Sequence, residues 1–356
     1  MTKVYIIRHA EAEGNLYRRI HGWYNSGLTD LGRRQLEAIA DRFMDIKLDV
    51  VYSSDLKRAR QTAEAVARGS GVDVTETKQL REVNLGVWED RTWGEAASES
   101  PEQITFFNRD PEKWNVEGSE PLSVTQERMM SVLSEITARH AGGRIAIVSH
   151  GAAIRALLAA ILGIPSENIT KIHHCDNTAV TELTVEGGKI TVDSMGDCSH
   201  LKTVGTRFLR QDWWKNERGI DTTSLRFEPL DLKTDEKAYR DIHPNGDWNT
   251  AVRRVHENSE AVAWAMCEDE RVGLIELDIK RESEKNVGWI EHYAMLPRWR
   301  GKYLSVQLLG HAVSVYRRLG REMLRLEAYG AAAEYFGHYG FTETSTDGIL
   351  EKDISI

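Results

Sequence analysis

Three short runs constrain this chain more than any other feature. KVYIIRH at the amino end, DVVYSS and RIAIVSHG each hold four or five apolar residues rich in Val and Ile, then stop on polar ones: Arg8 and His9, Ser53 and Ser54, and His150. Unbroken apolar runs suit strands covered on both faces, as in a parallel sheet between helices. Amphipathic segments lie between and after them. LTDLGRRQLEAIADRF places Leu36, Ile39, Ala40 and Phe43 on one face, DLKRARQTAEAVARGSG does the same with Leu56, Ala59, Ala63 and Val66, and AAIRALLAAILG follows His150. In open α/β sheets, ligands sit outside the carboxyl ends of the strands, so the polar residues that end the three runs belong to one rim if the strands are parallel. Arg58 starts the second helix, near backbone amides that favour an anion. Two arginines and two histidines on one rim describe a phosphate pocket, because guanidinium forks match phosphate oxygens.

At 356 residues the chain exceeds the usual reach of one core, so two domains are expected. The pattern of strands and helices holds to about Leu201, then breaks into TRFLRQDWWKNERGID. The boundaries read as residues 1–203, a linker at 204–221 in which Trp213 and Trp214 pack against a domain, and residues 222–356. In the last, SLRFEPLDL, AVAWAMCEDE, RVGLIELDI and VGWIEHYAML read as strands and LSVQLLGHAVSVYRRLG as a helix, with EDER marking a hairpin turn. A net charge of −9 disfavours unaided binding to nucleic acid or membrane. Cys175, Cys198 and Cys267 are odd in number and lack metal spacing, which points to reduced thiols and no structural metal. His173 and His174 have no further ligands at useful spacing and read as ordinary structural histidines. No stretch reads as a signal peptide or membrane span, and the expected location is cytoplasmic.

RHAEAEGN, SSDLKRARQTA, LREVNLGVWED and VSHGAAIRALL, with GDCSHL closing the stretch, resemble in order and spacing the motifs of the histidine phosphatase superfamily, the phosphoglycerate mutase-like enzymes, with Ala10 in the place of the usual glycine. The resemblance spans roughly residues 1 to 201 and implies a three-layer α/β/α domain. It also implies that His9 is the nucleophile and forms a phosphohistidine, that Arg8, Arg58 and His150 hold the phosphoryl oxygens, and that Glu82 protonates the leaving oxygen and then activates water. That acid role requires a proton held through partial burial or the charge of the incoming phosphate. Asn15 and Asn177 are implied to lie at the substrate. The substrate would be a small phosphorylated metabolite, with neither metal nor cofactor needed. The segment GVWEDRTWGEAASESPEQITFFNRDPEKWNVEGSEPL is short and acidic and lacks the arginine pair expected of a mutase, so a phosphatase is expected, with a phosphoglycerate mutase as the alternative. Glu95, Glu99 and Glu102 there favour a substrate whose other end is neutral or cationic.

VGWIEHYAMLPRWRGKYLSVQLLGHAV and AAAEYFGHYGF resemble the core and closing helix of the GNAT-type N-acetyltransferases, over about residues 222 to 356. The resemblance implies a mixed-sheet α+β domain. Met295, Arg300, Gly301, Lys302 and Ser305 would hold acetyl-CoA, with Arg298 adding charge, and an amine would accept the acetyl group. The motif departs from the family where small residues are expected, at Tyr303 and Ser305, and where Phe336 stands for a tyrosine acid with Tyr335 beside it. The domain is therefore either an acetyltransferase or a sensor or docking module without chemistry. The oligomeric state is left open.

Overall fold

The computed structural model describes residues 1–208, 211 and 217–356; Trp213 and Trp214 lie outside the described residues. Strands β1 (Thr2–Arg8), β2 (Val50–Ser53), β3 (Val74–Glu76) and β4 (Arg144–Ser149) run parallel in the spatial order β3-β2-β4-β1. Their register explains why the polar ends collect: Arg8 pairs with Ser149 and Ser53 with Val148, so the apolar runs finish level with one another. Val4, Ile6, Ile145 and Ile147 on one face, and Ile7, Val51, Ala146 and Val148 on the other, are all at most 1% exposed. Both faces are therefore covered, and each fully buried aliphatic side chain contributes roughly 1.5–3 kcal/mol. The sheet is completed by β5 (Val180–Glu186), antiparallel to β1, and β6 (Lys189–Asp197), antiparallel to β5. Gly187 and Gly188, with φ of 57° and 81°, make the two-residue hairpin between them.

The helices of this stretch are α1 (Glu13–Tyr17), α2 (Asp30–Phe43), α3 (Lys57–Ala67), α4 (Trp93–Glu99), α5 (Pro101–Arg109), α6 (Leu122–Arg139) and α7 (Gly151–Leu162). Ile39, Ala40 and Phe43 of α2, and Ala59, Ala63 and Val66 of α3, share one core with Ile7, Val51 and Val148. Thr29 caps α2 by accepting from the Gly32 amide at 3.0 Å. α6 packs on α7. Cys175, Cys198 and Cys267 are free thiols.

The remaining elements are β7 (Arg226–Pro229), α8 (Glu236–Ile242), α9 (Trp248–Glu257), β8 (Val262–Cys267), β9 (Glu270–Asp278), β10 (Val287–Met295), α10 (Val306–Arg318), β11 (Met323–Glu327), α11 (Ala331–Gly337), β12 (Thr342–Glu343) and β13 (Ile349–Asp353). They form a seven-stranded sheet ordered β12-β13-β11-β10-β9-β8-β7, antiparallel except where β10 meets β11. That parallel pairing ends at Ile290 and Leu326, although β10 continues to Met295 along β9 after a register shift between Ile290 and His292. The two strands therefore part halfway along β10. α10 is buried from Val306 through Tyr316.

By internal contacts the chain divides into two units, one of Met1–Asn15, Ile20–Asp90 and Ser100–Asp221, the other of Leu16–Arg19, Arg91–Glu99 and Thr222–Ile356. The described residues of 204–221 cluster with the first. Among the described residues, no helix is long and apolar enough to cross a membrane.

Candidate functional site

His9 lies just past the end of β1 and is 5% exposed. Its Nδ1 sits 2.7 Å from the Ala10 carbonyl, which can only accept, so Nδ1 carries a proton. In the neutral ring Nε2 then holds the lone pair, and it accepts from Arg58 Nε at 3.3 Å. Burial first, then the charges of Arg58 and Arg8, hold this imidazole well below its ordinary pKa, so it is a free base at neutral pH. Ala10 fits the usual glycine position because its backbone does not need a left-handed conformation. Its amide donates to Thr62 Oγ1 at 3.0 Å, and its methyl packs with Ala12 and Leu28.

His150, fully buried at the end of β4, lies with its ring centroid 5.1 Å from that of His9. Its Nε2 is 2.8 Å from Ser54 Oγ, and the Leu56 amide donates to the same oxygen. With Ser54 donating to Nε2, Nδ1 bears the hydrogen, and it has no acceptor among the described residues. Burial and the nearby Arg58 charge hold this ring also well below its ordinary pKa.

Arg8 donates through Nη1 to the Cys175 carbonyl and stacks 4.8 Å from the Phe208 ring centre, while its buried Nε lacks an acceptor among the described residues. A side chain at Gly151 would put a Cβ 3.3 Å from that Nε, so the glycine after His150 lets helix and guanidinium approach. Arg58, 1% exposed, uses its fork on the chain itself: Nη1 donates to Tyr24 O at 3.1 Å, and Nη2 to His21 O and Gly22 O at 3.0 and 2.8 Å. Burial lowers its pKa to about 10, opposed by Glu82 and Glu89.

Glu82 lies in the loop before α4 and reaches the first turn of α7. Its Oε1 accepts from the Ala153 and Val83 amides at 2.7 and 3.0 Å, and its Oε2 from the Ala152 amide at 3.1 Å. The carboxylate thus satisfies amides left open at the start of that helix. Asn177 Nδ2 donates to the His9 carbonyl at 3.0 Å and lies 3.4 Å from Asn15 Oδ1, which itself accepts from the Ala12 amide. The structure thus gathers Arg8, His9, Asn15, Arg58, His150 and Asn177 into one linked cluster, with the Glu82 carboxylate bonded to the start of the helix that follows His150.

Farther along the chain, Met295, Arg300, Gly301, Lys302 and Ser305 lie on the end of β10 and the loop leading to α10. Arg300 Nε donates to the Met295 carbonyl at 3.1 Å, and Lys302 Nζ sits 4.2 Å over the Trp299 ring. Gly301 has φ 73° and open space where a Cβ would be. Tyr303 has φ 60°, a conformation that favours glycine, yet the residue is 79% exposed. Among the described residues, the amides of Gly301, Lys302, Leu304 and Ser305 have no backbone acceptor. Unpaired amides ahead of a long helix, beside two parted strands, fit a pyrophosphate such as that of acetyl-CoA. Arg298 pairs instead with Glu270 at 3.0 Å on the surface. Phe336 is buried against Tyr293 and Phe341. The hydroxyl near the loop belongs to Tyr335, 2.7 Å from Ser305 Oγ and 2.9 Å from Tyr293 OH. Tyr293 donates to the Ser305 carbonyl, so protons run from Ser305 to Tyr335 to Tyr293. Burial pushes Tyr335 up to about 12.

Residues 4–198 match the model of histidine phosphatase superfamily branch 1, more than half of the chain. The chain belongs to the histidine phosphatase superfamily. A relative from Escherichia fergusonii named probable phosphoglycerate mutase GpmB is 33% identical over 205 residues, 56% of this chain and 95% of the relative. Phosphoserine phosphatase 1 of Hydrogenobacter thermophilus is 28% identical over 201 residues, 56% of this chain and 95% of the relative. Among solved structures, Bacillus stearothermophilus YhfR matches with a TM-score of 0.55 and 32% identity, covering 57% of this chain and all of that one. A mycobacterial glucosyl-3-phosphoglycerate phosphatase with VO3 matches at 0.52 and 26% identity, covering 55% and 98%. Residues 222–341 match the acetyltransferase (GNAT) family model, so this member of the histidine phosphatase superfamily carries a GNAT domain as well.

Sequence reasoning missed the groups that hold this histidine phosphatase site in place. Arg128 grips Glu120 through Nε and Nη2 at 2.7 and 2.9 Å and donates to the carbonyls of Gln79, Arg81 and Glu82. Thr62 braces the turn after His9, and Glu89 accepts from the amides of Gly22, Trp23 and Tyr24, shaping the loop that Arg58 binds. Nothing in the sequence sets Arg128 apart from the chain's other basic residues, because its partners are carbonyls and a carboxylate that only folding brings to it.

Proposed function

We propose that the N-terminal domain hydrolyses phosphomonoesters through a phosphohistidine on His9. The observation that carries this reading is the tautomer of His9: with Nδ1–H held by Ala10, the lone pair on Nε2 meets the Arg58 guanidinium, where an anionic phosphoryl group would bind. The unpaired buried donors Arg8 Nε and His150 Nδ1 add to it, since an orphaned buried donor costs about 1–3 kcal/mol that phosphoryl oxygens would recover. In this reading Nε2 attacks phosphorus, the bond to the substrate's ester oxygen breaks, and Glu82 gives that oxygen a proton. A water then loses its proton to Glu82 and attacks the phosphohistidine, which releases phosphate and restores His9. Arg8, Arg58 and His150 stabilise the charge on the equatorial oxygens, and Asn15 and Asn177 hold the His9 turn and the substrate edge.

The test compares wild type with His9→Ala on p-nitrophenyl phosphate and looks for an acid-labile phosphoenzyme. The expected result is a loss of about a thousandfold or more with no phosphoenzyme in the variant. With 3-phosphoglycerate, release of phosphate without isomerisation supports a phosphatase over a mutase.

For the GNAT domain, Met295, the loop from Arg300 to Ser305 and the start of α10 would hold acetyl-CoA, which supplies the acetyl thioester when bound. The hydroxyls of Ser305, Tyr335 and Tyr293 form the proton-bearing chain beside that loop. Calorimetry with acetyl-CoA and a transfer assay over an amine panel test this: binding with transfer supports the acetyltransferase, and binding without it supports the sensor.

A further inference from the structure

The phosphatase unit holds a second basic recess that the mechanism above does not use. It is small and opens to solvent, and it is lined by Asn108, Arg109, Arg155, Thr170, Ile172, His173 and His174, where the end of α5 and the second turn of α7 meet the chain before Asn177. Among the described residues, its lining contains no carboxylate. Arg155 is only 8% exposed; its Nε and Nη2 donate to the carbonyls of Ile172 and Ile169 at 3.0 and 2.9 Å, which fixes the guanidinium in the wall of the recess. Burial, reinforced by the nearby Arg109 charge, lowers the Arg155 pKa to about 10. A buried guanidinium without a carboxylate calls for an anion, because desolvating an unpaired charge is costly.

The recess is coupled to the phosphoryl site through one residue. Cys175, next to His174, offers its carbonyl to Arg8, and His174 lies with its ring centroid 6.4 Å from that of Phe208, the ring that Arg8 stacks on.

We infer that this recess is a second anion site, taking a carboxylate or phosphate group with two acceptor oxygens on Arg155 and the side chains around it. Two sources share that chemistry: the far end of a phosphomonoester that carries a second anionic group, or a separate small anion. The first rests on the phosphatase reading; the second does not. If the first holds, it reverses the expectation that the substrate's other end is neutral or cationic.

The experiment uses the full chain as wild type, Arg155→Gln, Arg155→Lys and His173→Gln. The probes are p-nitrophenyl phosphate, 3-phosphoglycerate as a phosphomonoester with a carboxylate, and malonate followed by melting temperature. For a substrate end, Arg155→Gln raises KM for 3-phosphoglycerate about tenfold and leaves that for p-nitrophenyl phosphate within about twofold, a difference one charge-assisted contact can supply. For a separate anion, malonate raises the melting temperature of wild type, less that of His173→Gln, and least that of Arg155→Gln. Arg155→Lys, which keeps the charge without the fork, falls between wild type and Arg155→Gln in either arm. Should Arg155→Gln fail to fold, His173→Gln on the exposed side of the recess carries both arms. Equal melting shifts in all four proteins, with KM unchanged for both substrates, overturn the inference. Failure of wild type to turn over p-nitrophenyl phosphate refutes the phosphatase reading instead, and the malonate arm still reports on the recess.

Discussion

Arg58 donates to His9 Nε2 across 3.3 Å, so the nitrogen with the free lone pair is held in the resting protein by one of the groups that would bind the phosphate. The same fork secures His21, Gly22 and Tyr24. Arg58→Lys keeps the charge but cannot reach three carbonyls and an imidazole together. Its kcat/KM on p-nitrophenyl phosphate is expected to fall by about 10²–10³-fold, as on removing one oxyanion donor. Steady-state kinetics with circular dichroism to confirm folding would check this, and a loss under about fivefold would contradict it.

His9 and His150 titrate well below 6.5 in the folded protein, chiefly through burial. The unfolded chain takes up these protons near pH 6.5 and the folded one does not, so stability is lost as pH falls below that value, by about 1.4 kcal/mol per unit for each ring until its folded pKa is reached. Melting temperature measured from neutral to mildly acidic pH should fall, and fall less steeply in His150→Gln. Activity should not lose its nucleophile near pH 6.5, so the pH profile of kcat/KM on p-nitrophenyl phosphate should show no acid limb centred there.

Glu82→Gln retains an oxygen for the Ala153 amide but cannot give up a proton. A poor leaving group needs that proton and p-nitrophenolate does not. Turnover of an alkyl phosphate is therefore expected to drop about 10²–10⁴-fold, and turnover of p-nitrophenyl phosphate much less. Equal losses on both substrates would count against Glu82 as the acid.

Arg128 touches neither histidine, yet it ties the carbonyl of Glu82 to Glu120, and both members of the Arg128–Glu120 ion pair are largely buried. Arg128→Ala leaves Glu120 uncompensated and the 79–82 loop loose. We expect a loss of about 3 kcal/mol in stability and a fall in kcat larger than any rise in KM, read from denaturant unfolding and steady-state kinetics. The double variant Arg128→Ala with Glu120→Gln should recover stability but not kcat.

Tyr303 adopts φ 60° at a position where the loop could use glycine. Tyr303→Gly relieves a strain of about 1 kcal/mol and brings the loop backbone into the open. Acetyl-CoA should bind more tightly to this variant by calorimetry; weaker binding would show that the tyrosine side chain helps to hold the ligand.

The sequence by itself determined the sheet and its rim. Runs such as Val4–Ile7 and Ile145–Val148 could be satisfied only between two helical layers, and parallel strands whose ends lie level bring Arg8, His9, Ser54 and His150 to the same edge. The parting of β10 from β11, which opens the second domain's loop, and the antiparallel β5–β6 edge were not legible, because pairing partners are set by neighbours distant in the chain. Tertiary structure alone decided which of the rim's groups are free to act. Whether His9 presents Nε2 depends on a carbonyl one residue away and a guanidinium 49 residues away, and whether Arg155 meets a carboxylate or a recess depends on how α5, α7 and the chain around Ile172 pack. Periodicity records which face of an element is apolar, whereas protonation, hydrogen-bond partner and desolvation belong to groups brought together only on folding.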